Sequence, residues 1–197
     1  IRRPPRSTLD RSSAASDVYK RQEYNYSLLQ KIIPDSNNEI KIRFATSKDI
    51  AEVIAINYKT LPEHYSNSFF MELLLDSPET FIVAEIDGRI IGYIMCRVEY
   101  GFSILKKMSL ARKGHVVSFA VLEEYRSKGI GKKLVEQSIE GMKIKKCNES
   151  YLEVRTDNQE AINLYEGLGY NKIATLNAYY KDGKNAFLMS ARLNKNN

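Results

Sequence analysis

Along the chain the apolar positions change period, and each change marks an element. Ile40, Ile42 and Phe44 alternate with Lys41 and Arg43, which predicts a strand. Thr46-Ser47-Lys48-Asp49 has the form of a capping-box helix start, and Ile50, Val53, Ile54, Ile56 and Tyr58 continue it as a helical stripe. Leu61-Pro62-Glu63 breaks that stripe, and Ser68 to Leu75 predicts a second short helix. Phe81 to Ala84 and Arg89 to Val98 read as two strands joined at Asp87-Gly88, a hairpin turn signal. A stretch of basic and small residues from Gly101 to Lys113 predicts a loop, and Val116 to Leu122 an apolar strand. Ile130 to Ile144 is an amphipathic helix with Leu134, Val135, Ile139 and Met142 on one face. Tyr151 to Val154 predicts a strand, Gln159 to Glu166 a helix, and Tyr170 to Leu176 and Ala186 to Leu193 two closing strands. The order β-α-α-β-β-β-α-β-α-β-β predicts one α/β (α+β) domain, a mixed sheet flanked by helices.

Composition narrows the classes. The chain has 197 residues, 43% of them hydrophobic, enough for one real core. No apolar run approaches the ~18 to 20 residues of a membrane helix, and no secretory leader is visible. Cys96 and Cys147 are too few for a disulfide scaffold, so free thiols and a reducing cytoplasm are expected. Of the net charge of +6, residues 1–22 carry six Lys/Arg against two Asp/Glu, which is +4 and leaves +2 for the rest. The nearly neutral remainder argues against specific nucleic-acid binding. Residues 1–38 are expected to be a disordered tail, and residues 1–22 resemble translated sequencing-adapter sequence, with a genuine basic arm that touches RNA as the rival reading. The folded domain is expected over residues 39–193.

The most informative segment is Val116-Val117-Ser118-Phe119-Ala120-Val121 followed by Arg126-Ser127-Lys128-Gly129-Ile130-Gly131-Lys132. A strand runs into a turn with two glycines, and the turn opens a helix. Free amides at a helix start, with Arg126, Lys128 and Lys132 beside them, suit a pyrophosphate. An ordinary strand-to-helix connection with solvated lysines is the plainer alternative. The spacing fits neither G-x-x-x-x-G-K-[ST] nor G-x-G-x-x-G.

The strand, the R-x-x-G-x-G turn and the helix together resemble the acetyl-coenzyme A motif of the GNAT acyltransferases. A second signature of that family follows: Leu152-Glu153-Val154-Arg155, Asn158 to Tyr165, and Gly169-Tyr170. The resemblance covers about residues 39 to 193 and implies the GNAT fold, a mixed, mostly antiparallel sheet flanked by helices. Within the superfamily, Leu61-Pro62-Glu63-His64-Tyr65, Arg112 to Val116, Tyr151 to Arg155 and Ala178 to Gly183 look like the protein N-terminal α-acetyltransferases. They are most similar to the stand-alone archaeal enzymes related to the NatA catalytic subunit and to bacterial ribosomal-protein alanine acetyltransferases.

That resemblance implies a cytoplasmic enzyme that moves acetyl from acetyl-CoA to the free α-amine of chains starting with Ser, Ala, Thr or Met. Its partners would be protein N-termini or nascent chains, with the ribosome as a candidate site of action and no membrane. It implies general bases among Glu63, His115 and Glu153, the last two sharing a water, and Tyr165 as donor to the leaving sulfur. Phe119, Ala120 and Val121 would offer backbone groups to the pantetheine arm. Arg126, Ser127, Lys128, Gly129, Ile130, Gly131 and Lys132 would hold the pyrophosphate, with Asn158 and Tyr165 also on the cofactor. Leu61, Pro62, Tyr65, Tyr179 and Tyr180 would form the peptide slot. His115 and Glu153 could also hold an adventitious zinc ion, but the chemistry requires no metal. Lys184-Asn185 stands where such relatives carry acidic residues, which implies a shift away from basic second residues.

Read without the resemblance, the same residues have plainer roles. His115 would be a strand-edge histidine, Glu153 a surface carboxylate or a partner for Arg155, and Glu63 a solvated loop residue. Tyr165 would be a core aromatic, and Tyr179 and Tyr180 part of a closing hairpin. Acetylation of a small amine (a polyamine or aminoglycoside), acetylation of lysine side chains, and a CoA-binding module without turnover are the competing functions.

Overall fold

The computed structural model describes residues 40–193, so the expected tail lies outside the described residues. The strands are β1 (Lys41–Phe44), β2 (Phe81–Ile86), β3 (Arg89–Phe102), β4 (Leu110–Val121), β5 (Glu149–Arg155), β6 (Asn171–Leu176) and β7 (Ala186–Arg192). The helices are α1 (Ile50–Thr60), α2 (Asn67–Asp76), α3 (Ile130–Ile144) and α4 (Gln159–Gly167). The element order is the predicted one.

The largest departure is the β3–β4 hairpin. Residues expected in a loop, Gly101-Phe102 and Leu110 to Lys113, are strand and extend the ladder to a Phe102–Leu110 pair. Their apolar signal is weak because this end of the hairpin has little core to face: Tyr100, Phe102 and Leu110 are all exposed. Gly114 sits in mid-strand, where a Cβ would overlap the Met142 thioether of α3. The turn between these strands is closed by a carboxylate from β5. Glu149 is buried, and accepts from Ser103 Oγ (2.8 Å) and from the amides of Ile104 (2.8 Å) and Leu105 (3.3 Å).

The seven strands form one sheet in the order β1-β2-β3-β4-β5-β7-β6. Every neighbouring pair is antiparallel except β4 and β5, which are parallel and pair only over Lys113–Glu149, Gly114–Ser150 and His115–Tyr151. Beyond those pairs, β4 continues with β3 and β5 continues with β7, so the two strands part company. A bulge sits at the point of divergence. Met95 faces Ser118 and Cys96 faces Val116, so Val117 has no partner on β3. An inserted residue bends and twists its strand, and here it falls where β4 leaves β5.

The core includes Phe70 of α2, Phe81 of β2, Tyr93 and Ile94 of β3, and Leu134 and Met142 of α3, all fully buried. The end of β1 is tied by a polar knot. Arg43 donates to both oxygens of Asp49 (2.7 and 2.8 Å) and to Glu85 (2.6 Å), while the Thr46 amide donates to Asp49 (2.7 Å). Burial opposes ionisation of Asp49, but Arg43 and the Thr46 amide outweigh it and hold the carboxyl below its ordinary range.

Gly141 marks the tightest approach in the fold, since a Cβ there would overlap the backbone carbonyl of Glu79. The expectation is that Gly141→Ala destabilises more than Gly114→Ala, by about 1–3 kcal/mol. The reason is that Met142 can swing aside whereas the Glu79 backbone cannot. Urea unfolding of the two variants side by side checks this.

Candidate active site

The parting of β4 and β5 brings the chemistry together. On β5 the residues Tyr151, Glu153 and Arg155 alternate with buried Leu152 and Val154, so all three share one half-buried face. On β4, His115, Val117 and Phe119 alternate in the same way with Val116, Ser118 and Ala120. His115 pairs in register with Tyr151 of β5 and Arg97 of β3.

His115 and Glu153 meet directly. Nε2 lies 2.8 Å from Glu153 Oε2, so the two share a direct hydrogen bond. The side chains are 20% and 16% exposed, partly shielded but open to a substrate. The imidazole lies flat on the Tyr151 ring, with centroids 4.3 Å apart and planes within 4°. The Tyr151 hydroxyl donates to Glu99 Oε2 (2.9 Å), and Glu99 Oε1 is 3.8 Å from His115 Nδ1. As a zinc pair His115 and Glu153 offer only two ligands, and among the described residues no group of three His, Cys, Asp or Glu is arranged to hold a metal.

Arg155 is not the partner of Glu153. Its guanidinium binds Asp182 of the β6–β7 connection, lies 3.7 Å from Glu63 between α1 and α2, and is 3.8 Å from Asp157 before α4. It also lies 4.4 Å from the Tyr180 ring centroid. One cation therefore ties together the two segments expected to form the peptide slot. Tyr179 and Tyr180 pack edge to face at 5.1 Å, and Tyr179 remains 48% exposed. On the other side, the Tyr65 hydroxyl donates to the carbonyl of the bulged Val117 (3.3 Å) and its ring stacks on Phe69. Leu61 and Pro62 lie on the same α1–α2 connection, where the Leu61 amide closes α1 on Asn57.

At the far end of β4 the turn takes an unusual backbone. Ser127 and Gly129 both have positive φ, +59° and +78°, and Gly129 precedes the first residue of the 15-residue α3. Alternating handedness of this kind turns successive amides toward a common point, and the helix adds partial positive charge there. Ser127, Lys128, Gly129 and Lys132 are exposed, whereas Ile130 is anchored in the core. Arg126 is exposed, and its Nε donates to the Val121 carbonyl (3.0 Å) at the end of β4. Gly131 is narrow by need, since a Cβ there would come 3.0 Å from the Phe119 ring.

Tyr165 of α4 completes the lining. It is buried edge-on to Phe119 (6.3 Å) and Tyr170 (5.5 Å). Burial pushes its phenol far above the usual range, and its hydroxyl has no hydrogen-bond partner among the described residues. Asn158 caps α4, accepting from the Ala161 amide (3.1 Å).

Sequence reasoning missed Glu99 and the part played by Tyr151 and Arg155. The signal for Tyr151 and Arg155 was the alternation of polar residues along β5. Glu99 fell just beyond where the apolar pattern of β3 fades.

Residues 48–170 match the model of the acetyltransferase (GNAT) family. The chain belongs to that family. An N-alpha-acetyltransferase of Sulfurisphaera tokodaii is 49% identical over 157 residues, spanning 79% of this chain and 94% of that one. Among solved GNAT structures, Ard1 of Thermoplasma volcanium is 30% identical, with a TM-score of 0.69 over 80% of this chain and all of that one. A chain of the NatC complex bound to Gag peptide and CoA is 28% identical, with a TM-score of 0.70 over 80% of this chain and all of that one. Among the described residues of this GNAT chain, no helix is long and apolar enough to cross a membrane.

If Arg155 ties the slot segments together, removing its charge frees them. In Arg155→Met, limited proteolysis is expected to cut residues 177–185 faster than in the wild type, with Arg155→Lys in between.

Proposed function

We propose that this GNAT enzyme acetylates the α-amine of protein N-termini, including nascent chains in the cytoplasm, with acetyl-CoA as donor. The observation that carries the reading is the direct His115–Glu153 hydrogen bond in the gap between β4 and β5, facing a slot lined by tyrosines. The relatives named N-alpha-acetyltransferase support it, and the family domain is proposed to occupy residues 39–193.

The gap fits the donor. Along Val116 to Val121, β4 has no ladder partner on the β5 side, so its backbone is free to pair with an amide-bearing arm as an added strand would. The left-handed turn at Ser127 and Gly129, with Lys128 and Lys132, would hold the phosphates, and Phe119 to Val121 the arm. When bound, acetyl-CoA supplies an acetyl thioester.

An α-ammonium has a pKa near ~8, so about a tenth is already neutral at pH 7 and the base has only a modest task. His115 and Glu153, hydrogen-bonded as a unit, take up the proton that the amine loses. Glu63, held near Arg155, sits at the mouth of the slot and orients the incoming ammonium. Tyr165 keeps its proton, because its phenol lies well above a thiol of pKa ~8.5. It therefore donates a hydrogen bond to the departing sulfur rather than giving up its proton.

Small polyamines fit less well. Two of the carboxylates bordering the slot, Asp157 and Asp182, are already engaged by Arg155, and Lys184 lies 3.2 Å from Asp157. This leaves little free negative charge for a polycation.

Intact-mass analysis of a peptide library with Ser, Ala, Thr and Met starts is expected to show one acetyl group on the α-amine. Acetylation confined to lysine side chains would overturn the reading. His115→Ala and Glu153→Ala are each expected to lower kcat by about 100-fold or more. Because the buried phenol of Tyr165 ionises only far above its ordinary range, kcat should not fall from loss of that proton up to about pH 10. Tyr165→Phe should lower kcat while acetyl-CoA binding, followed by calorimetry, stays unchanged.

A further inference from the structure

We propose that Glu99 and Tyr151 form a positioning pair that locks the imidazole of His115 against Glu153. The inference rests on the reading of His115 and Glu153 as the proton-accepting unit. Among the described residues the His115 ring has one hydrogen bond to hold it, Nε2 to Glu153 at 2.8 Å. A ring fixed at one atom can still swing about that contact. The flat stack on Tyr151, at 4.3 Å and 4°, removes the swing.

A stack orients only as well as the plate beneath it is fixed. The Tyr151 ring is held at its far end, where its hydroxyl donates to Glu99 Oε2 at 2.9 Å. It is also held near its centre, where Lys113 Nζ lies 5.2 Å from the centroid. Burial and the hydrogen bond to Glu99 push the Tyr151 phenol upward, so it remains a donor. The other oxygen of Glu99 is 3.8 Å from His115 Nδ1, too far for a hydrogen bond. Glu99 therefore reaches His115 through the tyrosine. The chain Glu99–Tyr151–His115–Glu153 runs across three adjacent strands, β3, β5 and β4, near the last register pair before β4 and β5 diverge.

Misplacing a reacting group by about 1 Å can cost on the order of 100-fold in rate. Glu99→Ala and Tyr151→Phe are therefore expected to lower kcat about tenfold, with the peptide KM unchanged within about twofold. Glu99→Gln, whose amide oxygen still accepts from the Tyr151 hydroxyl, is expected to stay within about threefold of the wild type.

Proton NMR of the full chain without peptide, at one fixed pH, reads the geometry separately. The chain has two histidines. Both stack on tyrosine, His64 on Tyr58 at 4.2 Å and His115 on Tyr151, so His64 is an internal control. In Glu99→Ala and Tyr151→Phe the ring-current displacement of the His115 protons should diminish while that of His64 stays.

Unchanged His115 resonances in both variants would overturn the proposal. So would Glu99→Gln losing as much kcat as Glu99→Ala, since charge and not the tether would then matter, or a rise in peptide KM in place of the fall in kcat. If the wild type fails to acetylate any N-terminal peptide, it is the proposed function that falls, and the resonances still decide whether Glu99 and Tyr151 hold the ring.

Discussion

The site depends on one irregularity in an otherwise continuous sheet. Val117 is an extra residue on β4, and from there β4 and β5, parallel for three pairs, go separate ways. A sheet cannot normally leave the edges of two central strands unpaired, because buried amides and carbonyls without partners are costly. Here some of that cost is met by side chains. The Tyr65 hydroxyl takes the Val117 carbonyl and Arg126 takes the Val121 carbonyl. The remaining backbone along this edge is available to a ligand.

The gap has a division of labour along its length. Toward the α3 end, backbone dominates: a left-handed turn, a helix start, and glycines that keep space clear. Toward the β5 end, side chains dominate: His115, Glu153, Tyr151 and Glu99 within one contact network. Backbone recognition tolerates drift in sequence, whereas a side-chain network does not. This is consistent with relatives near 28–30% identity keeping the same fold at TM-scores near 0.7. Arg155 lies at the border, joining loops that precede α2, α4 and β7 into one rim.

Much of this was legible in the chain alone. The amphipathic period of α3 placed that helix at Ile130 to Ile144, and Asp87-Gly88 placed the β2–β3 turn. The second motif drew attention to Glu153 and Tyr165, and the separate resemblance over Arg112 to Val116 drew it to His115. What could not be read was contact across strands. Neither the bulge at Val117 nor the tie from Tyr151 to Glu99 has a local signature, since each depends on register between segments far apart in the chain, 52 residues in the second case. Nor could the sequence show that Arg126 also donates to a carbonyl of β4, because that contact leaves no mark on the motif. The end of the β3–β4 hairpin was mistaken for a loop for a simpler reason: strands that leave the core lose the apolar alternation that identifies them.

The buried carboxylate of Glu149 has a consequence for how this molecule assembles. It closes the turn between β3 and β4, yet it belongs to β5, and α3 intervenes in the chain. The strands of the hairpin pair with each other directly, but the buried polar contacts of its tip are complete only once the later strand arrives with its two oxygens. The last pairs of that hairpin and the short parallel junction with β5 should therefore become ordered in a single cooperative event, completing the floor on which His115 rests.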